Sequence, residues 1–417
     1  MSTKAGMTVS GLDPYVLARR QLERDRERTR QWPQLLARKQ ERMRTSPFAF
    51  LRGSAPLFYD ALAGAPDLRQ GPPGRGWIVG DAHVENFGVF RPRTCEHDAS
   101  GSRRGQPPHV VFAPNDFDEA LVGPLRYDVL RLATSVLLLG RERGIDAAAV
   151  LAGAEALLRA HAQQVFARTP RLPAPPPLIA SLIAAAAGRK RVAFLAARTG
   201  SAGGRRRFVR GERYLDVSKR LAEQARAAFA RYLAQLSPDD RPAAEQGRVV
   251  DVAFRVAGTG SLGCLRLAVL AAGGGEPDGC WVLEMKEAAP PAAAPLLDGL
   301  GGREPEANER VVAAARACLR YPPRLLGTTA LGGRPMVVRR LAPQEDKLDA
   351  AAVDGDTLPG VASYCGALLG DAHRRGAVEL PRRPWTDAHR AALLRAAVGC
   401  AALHAAAWLA YFDLTRS

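Results

Sequence analysis

Apolar side chains recur at helical spacing near the start of the chain, among many charged positions. Between residues 15 and 45 the apolar positions include Leu22, Leu35 and Met43. Such spacing predicts a basic, exposed helix or helix pair. The segment SPFAFLRG that follows begins with Ser46 and Pro47, and a serine cap followed by an early proline is typical of a helix start.

Helical patterning returns in two longer regions. It dominates residues 125–235, where a proline-rich segment at 169–177 interrupts it, and a last long helix is predicted over 213–236. Residues 357–413 show the same pattern. The chain is therefore expected to contain a large helical part that is assembled from more than one segment.

Short apolar runs that end in polar or glycine-rich turns predict strands elsewhere. Two such runs are Trp77–Val79, which is followed by GDAHVENFG, and Val110–Phe112, which is followed by NDFDEALVGP. We interpret the polar stretch between them, 91–109, as a flexible loop insertion. Residues 249–341 contain several β-type runs, with hairpins predicted around AAGGGEPDG and LGG and one helix in NERVVAAARACLRY. This block predicts a small strand-rich lobe.

The chain is strongly basic, with 59 Lys and Arg against 42 Asp and Glu and a net charge of +17. Such a charge is typical of proteins with an anionic partner such as nucleic acid. Only six of the 59 cations are lysine, and Ala, Gly, Pro and Arg are abundant together. A compositional bias towards arginine therefore explains the charge equally well. No RNP, zinc-finger or helix-turn-helix signature is present, and both interpretations stay open.

Cysteine usage and apolar runs bear on the compartment. The six cysteines are scattered with no C-x-x-C pair, which argues against a disulfide-stapled secreted domain or a zinc ribbon. The N-terminus has no apolar signal-peptide core. The longest apolar runs, such as Leu132–Leu139, are too short to cross a bilayer. We therefore expect a cytoplasmic protein without a membrane partner.

Four polar residues follow the two short strands. Asp81 and Asn86 are five positions apart in GDAHVEN, and Asp116 and Asp118 follow in NDFDE. In phosphoryl transfer, one such carboxylate orients the attacking hydroxyl, while an Asn and a second Asp hold magnesium against the nucleotide phosphates. Asp and Asn also cap ordinary turns, so a purely structural role is the alternative.

A glycine-rich segment, GTGSLG, lies between two β-type runs. A dinucleotide-binding fingerprint would need a helix directly after the last glycine, and here a strand follows. A hairpin folded over phosphates fits this context better, because glycines let backbone N–H groups approach closely. The candidate nucleotide-binding residues are Gly258, Gly260, Ser261 and Gly263.

Lys286 ends the strand after this hairpin, in WVLEMKEA. A nucleotide kinase keeps its phosphate-binding lysine on the corresponding strand. In a chain so poor in lysine this residue looks specifically retained, although a solvent-facing strand lysine is the alternative. We expect a glutamate of the next helix to pair with it, with Glu309 as the first candidate and Glu306 or Glu304 as the others.

These motifs stand in an unusual order. In an ordinary kinase the glycine loop and the lysine precede the catalytic Asp, whereas here they follow it. We infer a circular permutation, which is tolerated where chain ends lie close together. A second GDAH, at 370–373, stands where an unpermuted catalytic loop would fall. Asp371 has Gly376 and not Asn five residues later, so we interpret this segment as the end of a packing helix.

The segments MRTSPFAFLRG, GDAHVENFG, NDFDEALVGPLRYDVLRLATS, VAGTGSLG and KEA resemble a bacterial family, domain of unknown function 2252, over nearly the whole chain. That family is similar to the protein-kinase-like and aminoglycoside-phosphotransferase-like superfamily. The resemblance implies that Asp81 is catalytic, that Asn86 and Asp116 bind magnesium, and that Asp128 is structural. The sequence departs from that pattern with Val79 where a His is usual and with a longer loop before the metal motif.

Four side chains are secondary candidates. His83 could assist the site or brace its loop, and Arg52 could reach the phosphates or form a salt bridge. Asp118 and Asp128 complete the group.

The whole pattern predicts an α+β, circularly permuted, two-lobed protein-kinase-like fold. Its parts are a basic helical extension, a first helical part with the catalytic and metal motifs, a strand-rich nucleotide-binding lobe and a second helical part, at residues 1–45, 46–239, 240–341 and 342–417. The predicted function is that of an ATP- and Mg²⁺-dependent phosphotransferase acting on a hydroxyl of an unknown small-molecule acceptor. A nucleotide-binding pseudokinase, a nucleic-acid-binding protein and adenylyl transfer stay open as alternatives.

Overall fold

The fold is mixed α/β, with helices predominating and antiparallel strand pairs throughout the described sheets. The structure, a computed structural model, describes residues 12–92, 110–202, 205–236, 247–273, 279–297 and 306–416. Residues 93–109, which we interpret as part of a flexible loop, and the candidate Glu304 lie outside these described residues.

Helices are the main element, and several begin at a side-chain cap. The side chains of Asp13, Ser46, Asp146, Ser218 and Thr386 accept hydrogen bonds from backbone N–H groups of the first turn that follows each of them. In the described residues the helices are α1 (Pro14–Thr29), α2 (Gln34–Arg44), α3 (Pro47–Gly53), α4 (Ala55–Gly64), α5 (Pro66–Arg69), α6 (Arg126–Glu142), α7 (Ala147–Phe166), α8 (Pro177–Ala187), α9 (Arg191–Ala196), α10 (Lys219–Gln235), α11 (Ala294–Leu297), α12 (Ala307–Cys318), α13 (Leu358–Arg375) and α14 (Asp387–Leu414).

The strands are short and are distributed over one large sheet and three small ones in the described part of the chain. They are β1 (Arg75–Ile78), β2 (Phe87–Phe90), β3 (Val111–Pro114), β4 (Leu121–Pro124), β5 (Thr199–Ala202), β6 (Arg205–Phe208), β7 (Tyr214–Leu215), β8 (Val249–Arg255), β9 (Arg266–Ala271), β10 (Trp281–Glu287), β11 (Gly327–Leu331), β12 (Arg334–Leu341), β13 (Asp346–Lys347) and β14 (Ala377–Glu379).

The largest sheet has six antiparallel strands in the order β11-β12-β10-β9-β8-β7. Successive side chains of a strand point to opposite faces of its sheet. Leu283 and Met285 of β10 pack in one apolar cluster with Phe229 and Tyr232 of α10. The intervening charged residues of β10 therefore point to the other face of the sheet, which forms one wall of the cleft described below.

Two three-stranded sheets carry the polar turns. β2 pairs with β3 and β13, and β1 pairs with β4 and β14. The largest apolar core lies beside them and joins α6, α7, α13 and α14 through residues such as Leu132, Leu157, Leu369 and Cys400. The turns after β1 and β3 are thereby anchored on a well-packed helical body.

The first two helices are not the solvated pair that the sequence predicts. The helical spacing is confirmed, but α1 buries Leu17, Leu22 and Asp25, and α2 buries Lys39 and Met43. Leu17 and Leu22 of α1 and Met43 of α2 form a separate cluster with the C-terminal half of α14, whereas Leu35 of α2 packs with the six-stranded sheet. Because this packing removes apolar surface from water, it fixes the N-terminal helices to the body of the molecule.

Most of the predicted strands are confirmed, but β2, β4, β13 and β14 were not predicted, and one segment predicted as helical contains strands. β9 and β10 are antiparallel neighbours, as are β11 and β12, and α12 is the predicted helix between them. The helix predicted over 213–236 begins later, at Lys219, because Ser218 caps it. Tyr214–Leu215 instead pairs with β8 at the sheet edge, and the hairpin of β5 and β6 also interrupts the region predicted as helical.

α14 is longer and more apolar than the runs considered in the sequence. By length and composition alone it could cross a membrane, so the prediction that every apolar run is too short is wrong. In the structure 44% of its most apolar window is buried. Leu403 and Tyr411 pack in the cluster with α1, and Cys400 lies in the main core.

Candidate active site

A cleft between the six-stranded sheet and the turns after β1 and β3 brings together most of the predicted site residues. Its central cavity has a volume of about 110 Å³. The lining contains ten residues that the sequence singles out, namely Arg52, Asp81, His83, Asn86, Asp116, Asp118, Gly258, Gly260, Ser261 and Lys286. The motifs before and after the central helices thus share one cavity.

The turn that carries Asp81 is shaped by a buried carboxylate behind it. The backbone N–H groups of Val79 and Gly80 donate to Asp128 at 2.5 and 2.9 Å, and His373 Nε2 lies 3.1 Å from the same carboxylate. Gly80 has a φ of +79°, and a Cβ at this position would lie 1.9 Å from the carbonyl oxygen of Glu119. Asp128 therefore acts on the site through the backbone and does not line the cavity.

Asp81 is held by a fully buried arginine of α6. Arg131 Nε donates to Asp81 Oδ1 at 2.7 Å, while Arg131 Nη2 donates to the carbonyl oxygen of Leu51. Burial raises the pKa of Asp81, and the Arg131 guanidinium opposes this shift. A carboxylate with fixed orientation and a raised pKa is suited to accept a proton from a hydroxyl group.

Asn86 and Asp116 supply the oxygen atoms that suit a magnesium ion. Asn86 Nδ2 donates to the carbonyl oxygen of Asp81 at 2.7 Å, so Oδ1 is the amide atom with the right chemistry for a cation. No three His, Cys, Asp or Glu side chains form a ready metal site in the described part of the chain. Magnesium usually takes one or two protein carboxylates together with substrate phosphates. The pair therefore fits a metal ion that arrives with a nucleotide.

Lys286 reaches the same place from the sheet and forms an ion pair with Asp118. Burial lowers the pKa of Lys286 to about 8, against the attraction of Asp116. Burial also acts to raise the pKa of Asp116, but Lys286 and other nearby cations hold it below the usual value. The site therefore keeps its carboxylate ionised and leaves its lysine able to titrate.

The glycine loop is held from outside by the N-terminal helices. Arg28 Nη1 donates to the carbonyl oxygen of Gly260 at 2.9 Å, and Lys39 Nζ lies 3.3 Å from the same atom. Arg42 Nη1 donates to the carbonyl oxygen of Gly258 at 2.6 Å. Cations on the carbonyl side of the loop fix its conformation, and Arg28 itself also lines the cavity.

Gly263 does not line the cavity, contrary to its predicted role at the phosphates. Its φ is +96°, and a Cβ there would lie 2.5 Å from the carbonyl oxygen of Arg28. The absence of a side chain is needed here for close packing of the loop against α1. Gly258, Gly260 and Ser261 remain at the cavity.

Glu309 is not the partner of Lys286. It is exposed on α12 and lines a separate surface groove beside α10. The next residue of that helix, Arg310, points inward and donates to the carbonyl oxygen of Asp118 at 2.9 Å. Glu306, the N-cap residue of α12, is exposed as well. The carboxylate that pairs with Lys286 comes from Asp118.

The two remaining secondary candidates lie at the cavity wall. Burial lowers the pKa of His83 well below its usual value, so the ring is neutral, and its Nε2 lies 3.9 Å from Asp81 Oδ2. Arg52 forms an ion pair with Glu85. Asp371 lies on α13, which ends with Gly376 as its C-cap, as the sequence predicts for the second GDAH segment.

Sequence reasoning missed several cations of the site. Arg28 and Lys347 line the cavity, Lys39 contacts the glycine loop from outside, and Arg131 orients the predicted catalytic carboxylate. The scarcity of lysine, which singled out Lys286, would also have pointed to Lys39 and Lys347. No local motif marks Arg131, because its partner is fifty residues away in the chain.

The fold and cleft define a mixed α/β protein whose cavity combines fixed carboxylates, a glycine loop and a buried lysine. The chain belongs to the family described as an uncharacterized protein conserved in bacteria (DUF2252), whose model matches residues 30–414. The family that the sequence resembles is thereby confirmed. No curated protein and no solved structure matches the chain.

Proposed function

We propose that the protein is a magnesium- and ATP-dependent transferase of the kinase-like kind, which moves a phosphorus-containing group from the nucleotide to a hydroxyl of a small-molecule acceptor. One observation carries this proposal. Asp81, Asn86 and Asp116 from one half of the chain share a cavity with Gly258 and Lys286 from the other half. Enzymes of nucleotide-dependent group transfer combine carboxylates, a glycine-rich loop and a lysine in this way to bind the phosphates and the metal ion.

The order of elements around the glycine loop supports a permuted kinase-like arrangement. The loop joins β8 to β9, the lysine stands on the next strand, β10, and α12 follows before β11 and β12. Protein kinases carry their glycine-rich loop, lysine and helix in this order. Here the polar turns precede these elements in the chain, which is the permutation inferred from the sequence.

The residues of the cleft have distinct proposed tasks. Asp81, oriented by Arg131, receives the proton of the acceptor hydroxyl. Asn86 and Asp116 hold magnesium, which when bound neutralises negative charge on the phosphates. Lys286 exchanges Asp118 for a phosphate oxygen. Catalysis then rests on positioning and electrostatic stabilisation.

The test is the effect of Asp116→Asn on magnesium-dependent ATP binding, measured by calorimetry and by the rise in melting temperature that a ligand produces. We expect the variant to stay folded and to lose ATP affinity by about 100-fold or more in magnesium, since a metal ligand is removed. Asp216→Asn is the matched control, because Asp216 is exposed and pairs with Arg210 away from the cleft. Equal ATP binding by Asp116→Asn and the natural protein would refute the site assignment.

A second candidate function is nucleotide binding without group transfer. The ion pair between Lys286 and Asp118 favours it, because that pair must open before the lysine can contact a phosphate. Stabilisation by ATP in the absence of magnesium, with no turnover of any acceptor in a small-molecule screen, would favour this regulatory role over the transferase.

A further inference from the structure

The face of the sheet that borders the cleft is charged where a nucleotide base would need an apolar surface. Glu284 and Lys286 share this face of β10, because they are two positions apart, while Leu283 and Met285 pack on the other side. Pockets for flat organic groups are predominantly apolar. A base stacked beside Lys286 would therefore meet the Glu284 carboxylate.

Three arginines from neighbouring strands surround that carboxylate. Arg339 Nε donates to Glu284 Oε2 at 2.9 Å, and Arg266 Nε lies 2.7 Å from Glu284 Oε1. Arg255 forms a third ion pair with the same group. Although burial opposes it, the three guanidinium groups hold the pKa of Glu284 far below its usual value. One negative and three positive groups leave a net positive face.

A cavity of about 300 Å³ lies against this face and adjoins the central cavity. Arg198 and Lys347 add to its cations, and its carboxylates are Asp116, Glu345 and Asp346. Asp116 lines both cavities, so the proposed metal ligand marks their boundary. The cavity thus offers five cationic side chains next to the metal position.

The backbone just after β12 is another place where the edge of a base could form hydrogen bonds, but its polar groups already have partners. The N–H of Ala342 donates to the Glu345 carboxylate at 3.3 Å, and the N–H of Glu345 donates to the carbonyl oxygen of Ala342 at 3.0 Å. A base would have to displace both contacts. The sheet wall and the backbone beyond β12 therefore suit an adenine ring poorly, whereas Phe90, Phe194 and Pro323 line other parts of the cavity.

We propose that the arginine face of the sheet, which Arg255, Arg266 and Arg339 form, binds the two terminal phosphates of ATP. The α-phosphate then lies at Asp116 and Lys286, and the group transferred is the adenylyl group. This inference rests on the proposed function and names its reaction. The nucleoside then points away from the sheet. Guanidinium groups suit this task, because they bind phosphate oxygens through two parallel hydrogen bonds.

The chemical step is balanced without a further reactant. The acceptor oxygen attacks the α-phosphorus and forms a new P–O bond, while the bond from the α-phosphorus to the oxygen that bridges to the β-phosphate breaks. The electron pair leaves with pyrophosphate, which the arginine face stabilises. The hydroxyl proton passes to Asp81, and the products are an adenylylated acceptor and pyrophosphate.

Binding of fragments of ATP to the full chain tests the orientation without knowledge of the acceptor. With magnesium present, we expect inorganic tripolyphosphate to compete with ATP to within about tenfold, and AMP to bind at least about 100-fold more weakly, since the terminal phosphates supply the main contacts. AMP binding close to that of ATP, with weak tripolyphosphate, would overturn the orientation and leave the proposed function standing. A protein that binds no ATP at all would overturn the proposed function itself.

A pair of neighbouring arginines provides the matched variants. Arg339→Gln should weaken tripolyphosphate and ATP by about tenfold while AMP is unchanged. Arg340→Gln is the control, because Arg340 lies on the opposite face of β12, over the ring of Trp281. Equal effects of the two changes would contradict the proposal. If Arg339→Gln does not fold, Arg198→Gln replaces it, since Arg198 lies in the cavity outside the Glu284 cluster.

The products of any turnover give a second readout. With ATP labelled separately at the α- and γ-phosphates, we expect pyrophosphate to appear and the α-label to remain with the acceptor or as AMP. Release of ADP, or transfer of the γ-label, would overturn adenylyl transfer. If no turnover occurs, the binding ratio of tripolyphosphate to AMP decides the orientation.

Discussion

Lysine is rare in this chain, and where it occurs is informative. Of the six lysines, Lys39 contacts the glycine loop, and Lys286 and Lys347 line the cavity. A compact ammonium group is not replaced by a planar guanidinium without changing the geometry of its contacts. Composition therefore predicted one of these residues correctly, and the same argument applied to every lysine would have found the other two.

The pH dependence of ATP binding should follow Lys286. Burial lowers the pKa of Lys286 to about 8, so the cation is lost as the pH rises through that value in the free protein. We expect ATP affinity to fall above about pH 8, as measured by calorimetry over a pH series. Lys286→Arg should reduce this fall, because arginine stays charged, and Lys347 of the same cavity, whose pKa is also lowered by burial, accounts for the remainder. A natural protein with constant affinity from pH 7 to pH 10 would contradict the role of Lys286.

Gly263 should be intolerant of a side chain for a reason unrelated to phosphates. In Gly263→Ala the added Cβ would meet the carbonyl oxygen of Arg28 at a φ of +96°. We expect a loss of unfolding free energy of roughly 3 kcal/mol, from backbone strain together with the clash. Urea unfolding measures this change.

The control for that substitution is Gly333→Ala. Gly333 also has a positive φ, of +81°, but nothing lies within 4 Å of the position of its Cβ. It should lose about 1 kcal/mol from strain alone. Equal losses in the two variants would show that the contact with α1 does not stabilise the loop.

At the scale of elements, short apolar runs between glycine turns predicted the strands around the glycine loop, because each of these strands contributes side chains to an apolar cluster. The pattern failed over residues 199–215, where short strands interrupt a helical sequence. β5 and β6 pair with each other, whereas β7 pairs with β8, which is distant in the chain, and the cap at Ser218 starts the next helix only after β7. The packing of α1 and α2 on the loop was missed for the same reason.

The contact between α2 and the glycine loop should support nucleotide binding. Arg42→Ala removes the hydrogen bond to the carbonyl oxygen of Gly258. We expect the Kd for ATP to rise by about three- to tenfold, since one charge-assisted bond that orders the loop is lost. Arg38→Ala is the control, because Arg38 lies on the same helix and donates to the carbonyl oxygen of Glu212 instead. Calorimetry that shows no difference between these variants would exclude a role for α2 in binding.

At the scale of the whole molecule, the cleft is an assembly of distant parts. The turns of Asp81 and Asp116, the loop at Gly258 and the lysine of β10 meet around one cavity. The sequence predicted this meeting from residue types and spacing alone. The sequence predicted a glutamate of α12 as the partner of Lys286, which is wrong, and it did not predict the charged face of the sheet. Both features depend on which side chains of α12 and of the sheet point inward once these elements pack together.

Part of the positive charge has a defined place in this assembly. Arg255, Arg266 and Arg339 gather around Glu284, and Arg131 holds Asp81. Arginine bias in the composition and arginine use at the cleft are therefore both present. Each of these arginines pairs with a carboxylate of the chain itself, so their presence at the cleft does not call for a nucleic-acid partner.

The most direct test of the central claim is a crystal structure with magnesium and a non-hydrolysable ATP analogue. We expect a magnesium ion about 2.1 Å from an oxygen of Asn86 and of Asp116, and Lys286 on a phosphate in place of Asp118. The phosphates should lie between Gly258 and the arginine face of the sheet. A nucleotide bound outside this cleft, or one that contacts neither Asp116 nor Lys286, would contradict the account.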